Sequence, residues 1–223
     1  MRWNTVLFDL DGTLTDPGVG ITKAVQYALR HYGIDEPDRT KLEKFIGPPL
    51  HTAFAEYYGF APEQALEAVE KFREYYNVTG WSENVPYEGV GALLDDLRAE
   101  DVKLVIATSK PEQTALRVLK HFDLVDKFDC ICGAPMHDAA ASKKAAVIRR
   151  TFTEADITDL SCAIMVGDRR HDIEGAHETG LAAIGVLYGY GSREEHETAG
   201  ADYIAEDMQA LRALLLDTKG NAL

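Results

Sequence analysis

The chain has 223 residues, 46% hydrophobic and 27% charged, with 37 acidic against 23 basic side chains and a net charge of -14. That length buries a sizeable core in one large domain or in one domain carrying a smaller insert, and the ordinary composition excludes a disordered or fibrous chain. A field this acidic repels nucleic acid phosphates and anionic membrane surfaces, so neither is an expected partner.

The same field repels a small phosphorylated metabolite, so a phosphate site here needs local Lys or Arg, or a bound cation. The opening MRWNTVLFDLDG runs from one Arg into a strand pattern holding two carboxylates, which is not a signal peptide. No run of about 18 apolar residues offers a membrane span. Cys130, Cys132 and Cys162 form neither an even disulfide set nor a CxxC pair, so a reducing cytoplasm is the expected compartment. Cys130 and Cys132 would share one strand face, but zinc needs two more ligands at a matching spacing. They read instead as small hydrophobes.

In chain order, TVLFDL (5–10) is the first apolar run, and it leads straight into Asp9-Leu10-Asp11-Gly12-Thr13. Two carboxylates thus stand one residue apart at a strand's carboxyl end, before an Asp-Gly turn. An EF-hand loop would need Gly at position 6 and Glu at position 12, where Leu14 and Gly20 stand. From 16 to 81 only helical periods occur, such as Ile21, Val25, Ala28, Leu29, Tyr32 and Leu66, Val69, Phe72, Tyr76. This predicts an all-helical insert (16–81) between the two parts of an α/β core domain (1–15 and 82–223), placed as a lid over the sheet's carboxyl edge.

From residue 82 strand and helix patterns alternate. GVGALLDDLRAE (89–100) reads as helix, KLVIAT (103–108) as strand, and PEQTALRVLKHF (111–122) as helix with Pro111 in its first turn. Thr108-Ser109-Lys110 lies between those two, where a hydroxyl and unpaired helix N-H groups can hold a phosphate oxygen, or merely cap the helix. SKKAAVIRRTF (142–152) is helical, CAIMVG (162–167) a strand, DIEGAHETG (172–180) a helix closed by Gly180, and LAAIGV, from Leu181, another strand. Strands apolar at nearly every position are those of a parallel sheet covered on both faces, so the fold class is α/β, a doubly wound parallel sheet with an inserted all-helical cap.

In Gly167-Asp168-Arg169-Arg170-His171-Asp172, Asp168 ends a strand and Asp172 follows one helical turn on, so both carboxylates face one point. Asp9, Asp11, Asp168 and Asp172 gathered at one sheet edge repel one another unless a cation intervenes, and oxygen-only ligands favour magnesium. A phosphoryl group also needs a positive side chain, for which Lys144 is preferred and Lys143 stays open. Arg169 and Arg170 are read as facing solvent.

DxDGT, a Ser/Thr at a strand end, Lys and GDxxxD, in that order with a helical insert after the first motif, resemble the haloacid dehalogenase superfamily across essentially the whole chain. The insert's Phe45-Ile46-Gly47-Pro48-Pro49-Leu50 run is similar to the cap of phosphoglycolate phosphatase-like members. The resemblance implies a cytoplasmic, Mg2+-dependent phosphatase in which Asp9 attacks phosphorus and Asp11 serves as general acid and base. It implies that Thr108 and Lys144 hold the phosphoryl oxygens, with Gly12, Thr13, Ser109 and Lys110 around the substrate. Magnesium would be held by the Asp9 side chain, the Asp11 backbone carbonyl, Asp168 and Asp172. Phosphoglycolate, a nucleoside monophosphate or pyrophosphate are the candidate substrates, with specificity in the cap around Gly47 and Pro48, in a monomer or homodimer. The alternatives are a phosphomutase, which Thr13 argues against because mutases carry DGV or DGI, and a non-catalytic phosphometabolite sensor.

Overall fold

The computed structural model of the protein describes residues 2–135 and 141–216. Its elements in chain order are β1 (Thr5–Phe8), β2 (Thr15–Asp16), α1 (Gly18–His31), α2 (Leu50–Tyr58), α3 (Pro62–Tyr76), β3 (Val85–Pro86), α4 (Val90–Ala99) and β4 (Lys103–Pro111). Then follow α5 (Glu112–His121), β5 (Cys130–Ala134), α6 (Lys144–Glu154), β6 (Ala163–Gly167), α7 (Arg170–Glu178), β7 (Ala182–Val186), α8 (Arg193–Ala199), β8 (Tyr203–Ala205) and α9 (Met208–Leu216). Short 3-10 turns link several of them. No helix among the described residues is long and apolar enough to cross a membrane.

Six strands form one parallel sheet in the order β5-β4-β1-β6-β7-β8. The chain leaves β1 for β4 and β5 on one side, then returns to β6 on the other. The carboxyl ends of β1, β4 and β6 therefore meet at the topological switch point, where this architecture opens a crevice. Register sharpens the placement: Phe8 pairs with both Ile106 and Val166, so Asp9 is one residue past that level, and Thr108 and Asp168 are two. Neighbouring strands lie about 4.8 Å apart, so three adjacent strands bring those side chains to one spot.

Alternation along the strands divides the core between two faces. Leu7, Val105, Met165 and Ala183 pack with Val147 and Ile148 of α6 and with Ile173 and Ala176 of α7. Val6, Phe8, Leu104 and Ile106 point the other way and are equally buried, as are Leu93, Leu94 and Leu97 of α4. The doubly wound parallel sheet inferred from the apolar runs is the observed fold.

Several details differ from the sequence reading. β8 was not singled out as a strand, because YIA is short, and β5 entered the sequence reading only through Cys130 and Cys132 sharing a strand face, because CICGA lacks a long Val/Ile/Leu run. β4 continues past Thr108 to Pro111, with an irregularity in its register after Ala107. Pro111 precedes α5 in an extended conformation (φ -53°, ψ 129°) rather than occupying its first turn. α7 begins two residues before Asp172, at Arg170.

The chain divides into two compact units, Met1–Thr15 with Pro86–Leu223, and Asp16–Val85. Within Asp16–Val85, α3 buries Ala65, Ala68, Val69, Phe72 and Tyr76, while Leu66 is 60% exposed. The inward stripe thus starts on Ala65, one position before the period drawn through Leu66. An ideal Cβ at Gly20 of α1 would sit 1.9 Å from the carbonyl oxygen of Gly80, so the two backbones touch only because both positions are glycine.

That contact reverses the usual sign of a helix glycine. Gly20→Ala is expected to destabilise the protein by about 2 kcal/mol, because overpacking costs roughly 1–3 kcal/mol and outweighs a helix-propensity gain of at most about 1 kcal/mol. Gly91→Ala in α4, whose Cβ meets nothing within 4 Å, is expected to be neutral or mildly stabilising. Urea denaturation of both variants checks the contrast.

Candidate active site

Asp9 is the first residue after β1, and its N-H still donates to Val166 O at 2.9 Å, extending the ladder by one rung. The chain then turns sharply: the N-H groups of Thr13, Leu14 and Thr15 all converge on Leu10 O at 2.9 to 3.3 Å, and Gly12 N-H donates to Thr15 O at 2.7 Å. Gly12 has φ +84°, and a Cβ there would lie 2.1 Å from Asp168 Oδ2. Glycine is thus required both by conformation and by the approach of Asp168. Its N-H is engaged in the turn, so what Gly12 contributes is room. Thr13 is fully buried, its hydroxyl has no hydrogen-bond partner among the described residues, and its carbonyl accepts from the Tyr188 hydroxyl at 3.0 Å.

From β4, Thr108 is buried, and its hydroxyl accepts from Lys110 N-H at 3.2 Å, which leaves the hydroxyl hydrogen to be donated. Ser109 points outward and is exposed. Lys110 is buried, and its ammonium reaches both oxygens of Asp11, at 2.9 and 2.6 Å. Lys110, expected from sequence to lie around the substrate, holds the Asp11 carboxylate in this structure.

Gly167, Asp168 and Asp172 come from the end of β6 and the start of α7. Asp172 Oδ2 accepts from Arg169 N-H at 3.0 Å, closing the first turn of the helix. A Cβ on Gly167 would lie 2.2 Å from Asp172 Cβ. Asp168 Oδ2 accepts from Tyr190 N-H at 2.8 Å, whereas its Oδ1 is buried with no hydrogen-bond partner among the described residues. Arg169 does not face solvent as expected: it is half-buried, 3.0 Å from Glu195. Arg170 is exposed.

Lys144, the first residue of α6, is the one of the two adjacent lysines that the structure brings to the carboxylates. It is 6% exposed, while Lys143 is exposed. Its ammonium lies 2.9 Å from Asp9 Oδ1 and 2.7 Å from Asp172 Oδ1, and donates to Ala107 O at 3.0 Å. The Asp9 contact is an ion pair without hydrogen-bond geometry. Burial alone would pull this lysine's pKa down, but Asp172 and Asp9 outweigh it and hold it above its usual value. The lysine stays charged.

Asp9, Asp168 and Asp172 have carboxylate oxygens within 4.8 Å of one another, and all three are nine-tenths or more enclosed or nearly so. Burial first, then Asp172 and Asp9, hold the Asp168 carboxyl well above the usual range. Burial also raises Asp172, opposed by Lys144. One ammonium cannot balance three carboxylates. A divalent cation fits the remainder: the donors are all hard oxygen atoms, and Asp168 Oδ1 has nothing else to bind. The Asp11 side chain is turned to Lys110 and stands outside this cluster.

Sequence reasoning missed the Leu187–Ser192 loop after β7. Cβ atoms on Gly189 and Gly191 would fall 2.4 Å from Asp168 Cβ and 2.0 Å from Asp168 O, so the loop lies directly against that carboxylate and delivers the Tyr190 N-H. Its signal was Tyr188-Gly189-Tyr190-Gly191, two glycines two apart just past a strand. Gly47 and Pro48 belong to the helical unit, where Gly47 takes φ +102° in the bend before α2 and Pro48 is half-buried.

Residues 6–186 match the family model for haloacid dehalogenase-like hydrolases. The chain is 43% identical over 215 residues to the 5'-nucleotidase of Pseudomonas aeruginosa, covering 96% of each. It is 40% identical over 188 residues to the tyrosine-protein kinase PtkA of Mycobacterium tuberculosis, covering 83% of this chain and 62% of that protein. The crystal structure of a predicted phosphatase from Clostridium acetobutylicum matches with a TM-score of 0.91 at 45% identity, covering 96% of this chain and 98% of the other. By the breadth of that match, the chain belongs to the haloacid dehalogenase-like hydrolases.

Proposed function

We propose that this protein is a magnesium-dependent phosphatase that hydrolyses a small phosphate monoester, a nucleoside 5'-monophosphate foremost, through an aspartyl-phosphate on Asp9. The observation that carries this reading is the buried junction of Lys144 with Asp9 and Asp172 beside the unpartnered Asp168 Oδ1. The nucleotide preference rests on the 43% identity to a protein named 5'-nucleotidase. Phosphoglycolate, another monoester, and pyrophosphate, an anhydride, are the other candidate substrates.

In this reading a magnesium ion held by Asp9, Asp168, Asp172 and the Asp11 carbonyl would neutralise charge on the phosphoryl oxygens. Asp9 attacks phosphorus in line, the bond from phosphorus to the ester oxygen breaks, and Asp11 protonates the departing oxygen. Asp11 then takes a proton from water, which displaces the Asp9 carboxylate and releases orthophosphate. Thr108 donates its hydroxyl hydrogen to a phosphoryl oxygen, and Lys144 offers a fixed positive charge that costs no reorganisation during reaction. Lys110 fixes the orientation of Asp11. Met1–Thr15 with Pro86–Leu223 is assigned as the catalytic core and Asp16–Val85 as the cap. Because the core groups engage only the phosphoryl group, selection among leaving groups falls to the cap, Gly47 and Pro48 first.

Orthophosphate release from a panel of phosphorylated metabolites, with and without magnesium, tests the proposal. Nucleoside monophosphates are expected to be cleaved only with the metal, and Asp9→Asn to be inactive with an unchanged circular dichroism spectrum. Binding of esters without turnover would favour a sensor, transfer to a sugar a mutase, and transfer to a tyrosine side chain a kinase; each overturns the hydrolase reading.

Lys110→Met is expected to lower kcat by about 10²- to 10⁴-fold, the usual worth of a positioned acid-base group, with KM little changed. A variant with wild-type kcat would remove Lys110 from the reaction.

A further inference from the structure

Beyond the carboxylate cluster, the described residues hold one other group of three metal-ligating side chains: Cys130, Cys132 and Glu154, with donor atoms within 4.8 Å of one another. The cysteines stand two apart on β5, an edge strand, so both leave the same face. Their sulfurs are 3.5 Å apart, and Cys132 Sγ is 3.2 Å from Oε2 of Glu154, the last residue of α6. The sequence alone offers no motif here, because the third donor lies 22 residues past Cys132 at the far end of a helix.

We propose that Cys130, Cys132 and Glu154 form a second metal site, which takes a thiophilic divalent cation such as Zn2+ and fastens the carboxyl end of α6 to the edge strand. Two thiolates on one tetrahedral zinc, at about 2.3 Å each, have their sulfurs roughly 3.8 Å apart, so the observed pair needs only a few tenths of an ångström of adjustment. The carboxylate is already oriented: its Oε1 lies 3.1 Å from Arg150 Nε, and Arg150 also donates to Gly133 O at 2.9 Å. Such outer contacts are what hold a ligand ready for a metal. Two thiolates and the Glu154 carboxylate face the dication and the guanidinium, which Glu112 also contacts, so one negative charge remains, and both thiol protons leave to solvent. Cys130 is half-buried and Glu154 exposed, which gives the ion an entry and leaves the fourth position to water.

A disulfide is the weaker use of these sulfurs. Residues two apart on a strand have Cα atoms about 6.6 Å apart, at the outer end of the roughly 4.4–6.8 Å range that a disulfide spans.

Titration of the full-length protein with Co2+ under saturating Mg2+ tests the site. One equivalent is expected to produce the visible bands of tetrahedral cobalt together with a near-ultraviolet thiolate-to-cobalt band, and Zn2+ to bleach both. Cys130→Ser should abolish the thiolate band, and Glu154→Gln, an exposed change that leaves the fold intact, should weaken binding by more than about tenfold. Asp168→Asn, in the other cluster, should retain the band. Absence of a thiolate band at stoichiometric cobalt, its persistence in Cys130→Ser, or unchanged affinity in Glu154→Gln would each overturn the proposal.

Discussion

The site depends on one buried ion-pair junction, in which the Lys144 ammonium stands between Asp9 and Asp172 while Asp168 lies alongside with a bare oxygen. Removing an isolated charge from water costs several kcal/mol even after relaxation, and three neighbouring carboxylates add mutual repulsion. Lys144 offsets part of that. What remains is an excess of negative charge aimed at one point, which suits the cluster to hold a cation in an acidic protein that would otherwise repel a phosphate ester.

The fold supplies this junction cheaply in sequence terms. β1, β4 and β6 are neighbours around the switch point, so each contributes a side chain one or two residues past the level of Phe8. α6 begins with the lysine and α7 closes its first turn on Asp172. Glycines at 12, 167, 189 and 191 let these segments approach within distances that a Cβ would forbid. The stability of the surrounding sheet, buried on both faces, holds the charged groups against their own repulsion. Asp11 and Lys110 are held apart from the cluster by their own ion pair, so the two buried lysines engage different carboxylates.

Asp9 and Asp168 were legible in the sequence because each directly follows a Val/Ile-rich run, and strand ends of such runs meet at one edge. Asp172 followed from helical spacing. Lys144 was preferred to Lys143 without a pattern to separate them, since both stand at the start of the same helix, and their difference in burial is a tertiary property. Lys110 was found as a residue but not as the partner of Asp11, because a pairing across 99 positions leaves no local trace. The Tyr190 N-H is backbone, and backbone donors are invisible in composition. Leu66 misled because one apolar residue beside a true stripe shifts the apparent period, and Pro111 because the strand outlasts its apolar core. The Cys130, Cys132 and Glu154 group was hidden for the same reason as Lys110: its third member arrives through tertiary packing.

The most direct test of the central electrostatic claim is thermal unfolding of the wild-type protein and Asp168→Asn, each with and without magnesium. Asn keeps the shape and removes one of the crowded charges. Without magnesium the variant should melt at or above the wild-type temperature, and only the wild type should gain a clear upward shift when magnesium is added, since a ligand that binds the native state stabilises it. A variant that melts lower than wild type without metal, or that gains the same shift with magnesium, would contradict the account.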